Sequence, residues 1–320
     1  MILFLDAVKK FFQEMFVSTS AQADDINRLF LIYMVIAAVI LAIVIFMVVG
    51  GVIRYRSAKR PGNPKQITGN KGLELTWTVI PLIIVVVLFF MSLKAMKQIN
   101  EPVKEGQKPD IVIIAHQWWW EMRYPGHDVV TANELHIPVG KRLLMHIKSA
   151  DVIHSWWVPA LGRKIDAIPG RTNEGWIESD SAGVFQGTCS EFCGMEHAWM
   201  RISVIAEPEA KYDQWLNEER KPFIPPEDSL AIAGAHMFQQ MTCGNCHSIK
   251  GTAASAVIGP DLTHLASRKT LLSGMMENNP ENLKKWLTNP QKVKEGANMP
   301  NMLLSKQEVD AISEFLDHLK

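Results

Sequence analysis

Two long, nearly uncharged apolar runs constrain the fold of this 320-residue chain more than any other feature. They cover residues 29–53 and 77–93, and each approaches or exceeds the ~20 apolar residues that cross a bilayer core. A buried core helix is the alternative, but neither run carries a polar face. We therefore predict a two-helix transmembrane hairpin over residues 29–97.

The loop between the two runs sets the orientation of the hairpin. Its only acid is Glu74, near its end, whereas its basic residues are Arg54, Arg56, Lys59, Arg60, Lys65 and Lys71. Short basic loops stay on the cytoplasmic side of a membrane. We therefore expect everything after residue 97 to lie outside the cytoplasm.

The first 28 residues allow two interpretations. Residues 20–23 offer an A-x-A cleavage site, but Lys9, Lys10 and Glu14 interrupt the apolar core that a signal peptide needs. Apolar residues recur upstream at helical spacing, at Met1, Phe4, Leu5, Val8, Phe12, Met15 and Phe16. That spacing favours a helix lying in the membrane interface.

Beyond the hairpin the chain divides into two predicted domains and a linker. Residues 98–216 contain short β-type runs separated by turn signals, which predicts a small β-sandwich or barrel. The runs are Ile111–Ala115, Glu134–Pro138, Arg142–Ile147, Gly175–Glu178 and Arg201–Ala206. Residues 217–228 are charged and proline-rich, as in a linker.

Residues 229–320 carry helix-start signals and predict an all-α domain. Asp228 and Ser229 precede one apolar pattern, Pro280 precedes a second, and Ser305 with Glu308 forms a capping box before a third. The formal net charge of the whole chain is zero, so nothing global favours a nucleic-acid partner.

The α domain contains a C-x-x-C-H motif, formed by Cys243, Cys246 and His247. This is the attachment motif of a c-type haem, in which both thiols bind the macrocycle and the histidine binds the iron. A redox dithiol or half of a zinc site also uses C-x-x-C, but neither needs the following histidine. Covalent haem c is the predicted cofactor.

A sixth haem ligand is expected from a methionine far along the chain. The candidates are Met275, Met276, Met299 and Met302. Residues 296–300, Gly-Ala-Asn-Met-Pro, resemble the methionine loop of class I cytochromes c, which implies Met299. The family often has a proline where Glu295 stands here. Histidines His236, His264 and His318 are expected on the surface rather than as ligands.

The most specific string is Cys189-Ser-Glu-Phe-Cys-Gly-Met-Glu-His-Ala-Trp-Met200. One loop supplies thiols at Cys189 and Cys193, an imidazole at His197 and a thioether at Met200. Soft thiolates with imidazole and a weak thioether select copper for electron transfer. One blue copper needs a single cysteine, so two cysteines suit two bridged coppers.

This string resembles the dinuclear copper (Cu-A) loop of cytochrome c oxidase subunit II. The resemblance implies a cupredoxin-like domain in which Cys189 and Cys193 bridge the metals. It also implies that His154 and His197 each cap one copper, that Met200 binds one weakly and that the carbonyl oxygen of Glu191 binds the other.

The same resemblance assigns three further roles. Residues 115–120 are similar to the family's aromatic patch, in which Trp118 would receive electrons from a cytochrome. The Glu191 side chain would reach a magnesium ion shared with the catalytic subunit. Glu74 stands where the family has a carboxylate at the cytoplasmic mouth of a proton channel; an ordinary interfacial charge is the alternative.

The implied function is electron relay within a haem–copper oxidase. Electrons would pass from an external donor, a cytochrome c or a quinol-oxidising complex, through haem c and Cu-A to catalytic subunit I, which reduces O2 to water and pumps protons. Further membrane subunits, membrane lipid and a bacterial inner-membrane location are implied. A membrane-anchored copper chaperone is the alternative, but it would need neither Met200 nor a haem.

The charge of the α domain bears on how it reaches the copper site. Residues 229–320 contain nine basic and eight acidic side chains, so the domain is nearly neutral. A tether of roughly a dozen residues gives an effective concentration near millimolar. We therefore expect transfer within the chain to need no tight docking and to depend weakly on salt.

Overall fold

The computed structural model describes residues 17–56, 62, 66 and 68–320. Two compact units are present, Asp24–Pro102 and a larger one that joins Val103–Lys320 to the residues up to Ala23. Residues 1–16, on which the interfacial-helix prediction rests, lie outside the described part. So do three cations of the basic loop, Lys59, Arg60 and Lys65.

The smaller unit is formed by two long helices, α1 (Ala21–Arg54) and α2 (Lys71–Ile99). Both are long and apolar enough to cross a membrane, and most of their large apolar side chains are exposed rather than packed in a protein core. The Tyr33 hydroxyl and the Ser92 hydroxyl lie 3.0 Å apart and link the helices. The predicted hairpin is confirmed, although each helix begins several residues before its apolar run.

Helix α2 begins with two polar contacts. The side chain of Asn70 accepts hydrogen bonds from the amides of Gly72 and Leu73, which satisfies donors that a helix N-terminus leaves free. The Glu74 carboxylate accepts a hydrogen bond from the Asn70 amide at 3.1 Å. Through this hydrogen bond the exposed Glu74 side chain helps to stabilise the N-terminus of α2.

Residues 103–219, here called the β domain, form a sandwich of two five-stranded sheets closed by helix α3 (Glu209–Glu219). One sheet has the order β3-β2-β1-β5-β8 and the other the order β4-β10-β9-β6-β7. Alternate residues of each strand, such as Ile111 and Ile113 on β1, enter the core between the sheets. The strands are β1 (Ile111–His116), β2 (Trp119–Tyr124), β3 (Val129–Ala132), β4 (Glu134–Pro138), β5 (Leu143–Ser149), β6 (His154–Trp157), β7 (Ile165–Ala167), β8 (Asn173–Ile177), β9 (Gly183–Cys189) and β10 (Arg201–Glu207).

Residues 229–320, here called the α domain, pack around the crossing of helices α4 (Ser229–Gln240) and α7 (Lys306–Asp317). A Cβ on Gly234 would lie 1.9 Å from the carbonyl oxygen of Ala311, so this crossing requires glycine. The remaining elements are β11 (Thr270–Leu271), β12 (Met276–Glu277), α5 (Pro280–Thr288) and α6 (Pro290–Val293).

The predicted helix starts of the α domain are confirmed by their caps. The Asp228 carboxylate accepts from the Ala231 amide at 2.8 Å, and Asn279 caps the helix that begins at Pro280. The Ser305–Glu308 capping box is present in full.

The segment between the two domains is held against the α domain. Helix α3 takes up the first three residues of the predicted linker, 217–219. The Phe223 amide then donates to the Lys250 carbonyl at 2.8 Å. His264 lies 3.1 Å from the Lys221 carbonyl and is buried, so its prediction as a surface histidine is wrong.

Candidate functional site

The two cysteines of the 189–200 loop, here called the cysteine loop, are brought to His154 by strand pairing. Strand β6 starts with His154, β9 ends with Cys189, and these strands pair with Trp156 opposite Cys189. The Cys189 amide donates to the Met200 carbonyl at 2.9 Å, which closes the loop on itself. All soft-ligand candidates therefore meet at one end of one sheet.

The donor atoms lie within a few ångströms of one another. The Sγ atoms of Cys189 and Cys193 are 3.8 Å apart, too far for a disulfide. The remaining distances complete the cluster: His154 Nδ1 to Cys189 Sγ 3.9 Å, His197 Nδ1 to Cys193 Sγ 3.6 Å, Met200 Sδ to Cys193 Sγ 3.9 Å and Glu191 O to Cys189 Sγ 3.3 Å. The two cysteine sulfurs are therefore surrounded by two imidazole nitrogens, a thioether sulfur and a carbonyl oxygen.

The thiols share their protons unequally. The hydrogen bond from Cys193 lowers the pKa of Cys189 to about 3, whereas the same contact raises the pKa of Cys193. One thiolate is thus stabilised inside a site whose two cysteines are only 2% and 3% exposed. Two buried cysteine sulfurs, one of them already a thiolate, form a ligand set for a soft metal cation.

Asp151 fixes the orientation of the His154 ring. The carboxylate lies 2.7 Å from His154 Nε2, so Nδ1 faces Cys189. Burial acts to lower the pKa of His154, but the hydrogen bonds to Asp151 and Cys189 outweigh it and the net shift is upward. A carboxylate on the far nitrogen is the usual support of a metal-binding imidazole.

The three residues of the C-x-x-C-H motif line an apolar cavity of about 470 Å³ that is formed mostly by the α domain. Cys243 begins a 3-10 turn just after α4, and Cys246 follows that turn. His247 Nδ1 lies 2.8 Å from the Pro260 carbonyl, which leaves Nε2 for a metal. Burial lowers the pKa of His247, so the ring is neutral at pH 7.

Gly259, Met299 and Met302 line the same cavity as His247. A Cβ on Gly259 would lie 2.6 Å from His247 Cε1, so glycine is required there. Met299 and Met302 both line the cavity, but Met299 packs against the buried core while Met302 is 36% exposed. The chemistry of this lining fits a covalently attached haem.

Trp118 lies between the two sites. Its Nε1 donates to the Cys193 carbonyl at 3.0 Å, and the residue also lines the cavity of the α domain. A Cβ on Gly194 would lie 2.9 Å from Trp118 Cζ2, so the cysteine loop meets the ring at a glycine. Trp119 also lines this cavity but stacks on His116, and Trp120 is fully buried in the β core.

Sequence reasoning missed the contacts that join the two domains. The carboxylate of Glu134, buried on β4, accepts from the amides of Lys269 and Thr270 at 2.9 and 2.8 Å. Lys294 is buried on the other side of the junction. Neither residue lies in a recognisable sequence motif, because each bonds to a partner more than a hundred positions away in the chain.

Comparison with known families gives matches to three parts of the chain. The family models are cytochrome c oxidase subunit II transmembrane domain over residues 8–95, its periplasmic domain over 127–207, and cytochrome c over 231–320. The fold is thus a membrane-anchored cupredoxin-like domain followed by a cytochrome c domain.

Relatives of known type match across nearly the whole chain. Cytochrome c oxidase subunit 2 of Alkalihalophilus pseudofirmus is 35% identical over 298 residues, 91% of this chain and 85% of the relative. The Bacillus subtilis protein is 33% identical over 319 residues, 92% of this chain and 88% of the relative. The periplasmic domain of Bradyrhizobium japonicum CoxB is a structural match at 34% identity, TM-score 0.34, covering 36% of this chain and 96% of that one.

These matches define the class as a membrane-anchored, metal-binding electron-transfer subunit with its folded domains outside the cytoplasm. The chain belongs to the cytochrome c oxidase subunit II family and carries a fused C-terminal cytochrome c domain.

Proposed function

We propose that this chain is the subunit through which electrons enter a bacterial haem–copper oxidase. An external donor would reduce haem c, and electrons would then pass to the copper site and on to catalytic subunit I, where O2 is reduced to water with proton pumping. The observation that carries the proposal is Trp118, which lines the haem cavity and donates to the Cys193 carbonyl.

In this proposal the chain's own residues hold two cofactors. Copper would be held by Cys189, Cys193, His154, His197, Met200 and the Glu191 carbonyl. Cys243 and Cys246 would attach the haem, and His247 and Met299 would be its iron ligands. Both cofactors would supply reversible one-electron chemistry when bound.

Residues outside the two clusters would serve the wider complex. The exposed Glu191 side chain would reach a magnesium ion at the catalytic subunit, and Glu74 would stand at the proton-channel entrance on the inner side of the bacterial inner membrane. Cys189 and Cys193 are almost completely buried, which favours a permanently bound metal over one that is transferred to another protein. This burial argues against the copper-chaperone alternative.

Metal analysis of the purified oxidase tests the proposal. We expect two coppers in this chain per haem c, near-infrared absorption from mixed-valence copper and a low-spin c-type haem spectrum. Cys189→Ser should remove the near-infrared band and keep the haem, whereas Cys243→Ser should remove one thioether link and keep the copper. One copper per haem c with a blue-copper spectrum would overturn the dinuclear assignment.

A further inference from the structure

Lys294 carries a charge deep inside the junction between the α and β domains. Its side chain is 4% exposed, and its Nζ donates to three backbone carbonyls. These belong to Trp118 at 2.9 Å, Leu272 at 3.3 Å and Trp199 at 3.4 Å. Burial lowers the pKa of Lys294 to about 8, so the ammonium form still predominates at pH 7.

Among the described residues, no ion-pair partner accounts for the burial of Lys294. Its Nζ contacts there are the three carbonyls, and Glu196 and Cys193 act on it only as more distant charges. Burying an unpaired ammonium is costly unless its protons are hydrogen-bonded. An apolar side chain would fill the same space without the free-energy cost of burying a charge. What lysine adds is directional hydrogen bonding to the three carbonyl oxygens.

Two of the three carbonyls connect Lys294 to the copper side, whereas the third, of Leu272, belongs to the α domain itself. Trp118 bonds the carbonyl of Cys193, and Trp199 is the neighbour of Met200, so both belong to the copper side. Lys294 itself opens the turn that carries Met299, here called the Met299 loop (residues 294–300). Its amide donates to the Pro290 carbonyl at 2.8 Å, and its own carbonyl accepts from the Ala297 amide at 3.2 Å.

Neighbouring contacts show that Lys294 acts within a built interface. The Ser273 hydroxyl donates to the same Trp118 carbonyl at 2.9 Å, and the Asn298 side chain donates to the Gln117 carbonyl at 3.2 Å. The Arg201 amide donates to the Ser273 carbonyl at 3.2 Å. Segments 117–118 and 199–201 of the β domain are therefore bonded by two parts of the α domain, Ser273 and the Met299 loop.

We propose that Lys294 is a positioning residue that holds the Met299 loop against Trp118 and the cysteine loop. It would thereby set the haem-to-copper electron-transfer distance. Its effect on electron transfer rests on the function proposed above; its effect on docking does not. Tunnelling rates fall exponentially with distance, so a docking bond that acts within the interface controls the rate without touching either metal.

Amide hydrogen exchange of the full-length chain tests the docking directly. In Lys294→Met, the amides of Lys269, Thr270 and Arg201 should exchange about tenfold faster, as expected when a charge-assisted bond is lost. Amides inside α7 should not change, since the core of the α domain is intact. The matched control is Lys292→Met, which removes an exposed charge two residues away in the same segment.

A second variant guards against a folding artefact. Ser273→Ala removes the other donor to the Trp118 carbonyl without altering charge, and it should speed exchange at the same amides. In the assembled oxidase, Lys294→Met should also slow haem-to-copper transfer about tenfold and leave donor-to-haem transfer and both spectra unchanged.

Two results would overturn the proposal. One is unchanged exchange at these three amides in Lys294→Met; the other is faster exchange with an unaltered internal transfer rate. Failure of the proposed function has a separate signature, namely a chain that purifies without copper or haem. In that case the exchange comparison still decides whether Lys294 fixes the domains together.

Discussion

The indole nitrogen of Trp118 donates a hydrogen bond to the carbonyl oxygen of Cys193 at 3.0 Å. The opposite edge of the ring faces the Met299 loop, because a Cβ on Gly296 would lie 3.7 Å from Trp118 Cη2. Gly296 has φ near +78°, a conformation that favours glycine. The ring therefore lies between the loop that carries both cysteines and the loop that carries Met299.

Trp118→Phe should slow electron transfer from haem to copper while leaving both cofactor spectra intact. Phenylalanine keeps most of the buried ring but loses the Nε1 donor to Cys193, whereas alanine would add a cavity cost of ~3–5 kcal/mol and endanger folding. Flash-induced reduction of the assembled oxidase measures this step. Trp119→Phe is the matched control, since Trp119 also lines the haem cavity but stacks on His116. Equal rates in both variants would rule out the Trp118 route.

Most of the candidate ligands could be predicted from the sequence because they lie close together in it, at a spacing typical of a metal site. The string from Cys189 to Met200 lies on one loop, so its donors stay together whatever the rest of the chain does. His154 is 35 residues upstream, and only the resemblance to a family indicated it. Strand pairing of β6 with β9 is what brings it to Cys189.

The docking of the two domains could not be found in the same way. Lys294 stands in a run of charged residues that resembles an ordinary solvated surface, and Glu134 begins an unremarkable strand. The near-neutral charge of the α domain suggested that the two domains need no tight docking. In the structure, the charged groups that bond across the domain junction include Glu134 and Lys294, which are both buried. Burial of a charge depends on the partner surface, which no local pattern records.

Met299→Ala should remove the sixth haem ligand and lower the haem potential, while Met302→Ala should change neither. Gln291 supports this difference, because its side chain donates to the carbonyls of Ala297 and Met299 at 2.8 and 3.0 Å and so holds the loop. Met302 is more exposed than Met299. Loss of the weak methionine–iron absorption band and redox titration check the assignment. A reversal of the two phenotypes would assign Met302 instead.

Glu74→Gln should slow oxygen consumption by the whole complex and leave the copper and haem spectra unchanged. Glutamine can still accept the hydrogen bond that Glu74 takes from the Asn70 amide, so the start of α2 is preserved and only the charge is lost. Asn70→Ala is the control for helix capping without loss of charge. Turnover equal to wild type in Glu74→Gln would leave the residue as an interfacial helix cap.

Transfer between the two cofactors should depend weakly on ionic strength. The charged groups that bond across the domain junction, Glu134 and Lys294, are buried, and buried charges are screened far less than exposed ones. Among the described residues, the exposed ion pair across the junction is that of Lys250 with Asp128, whose side chain is 89% exposed. Such exposed pairs contribute ~0–1 kcal/mol, so salt has little to weaken.

Laser-flash reduction of the assembled oxidase across a salt series checks this expectation. The haem-to-copper rate should change by less than about fivefold between low and high salt, since an exposed pair alone is worth ~0–1 kcal/mol. Lys250→Ala should make the remaining dependence flatter still, because it removes the screened pair and keeps both buried contacts. A steep fall of the wild-type rate with salt would show instead that the α domain finds the copper site by electrostatic steering, as a separate cytochrome does.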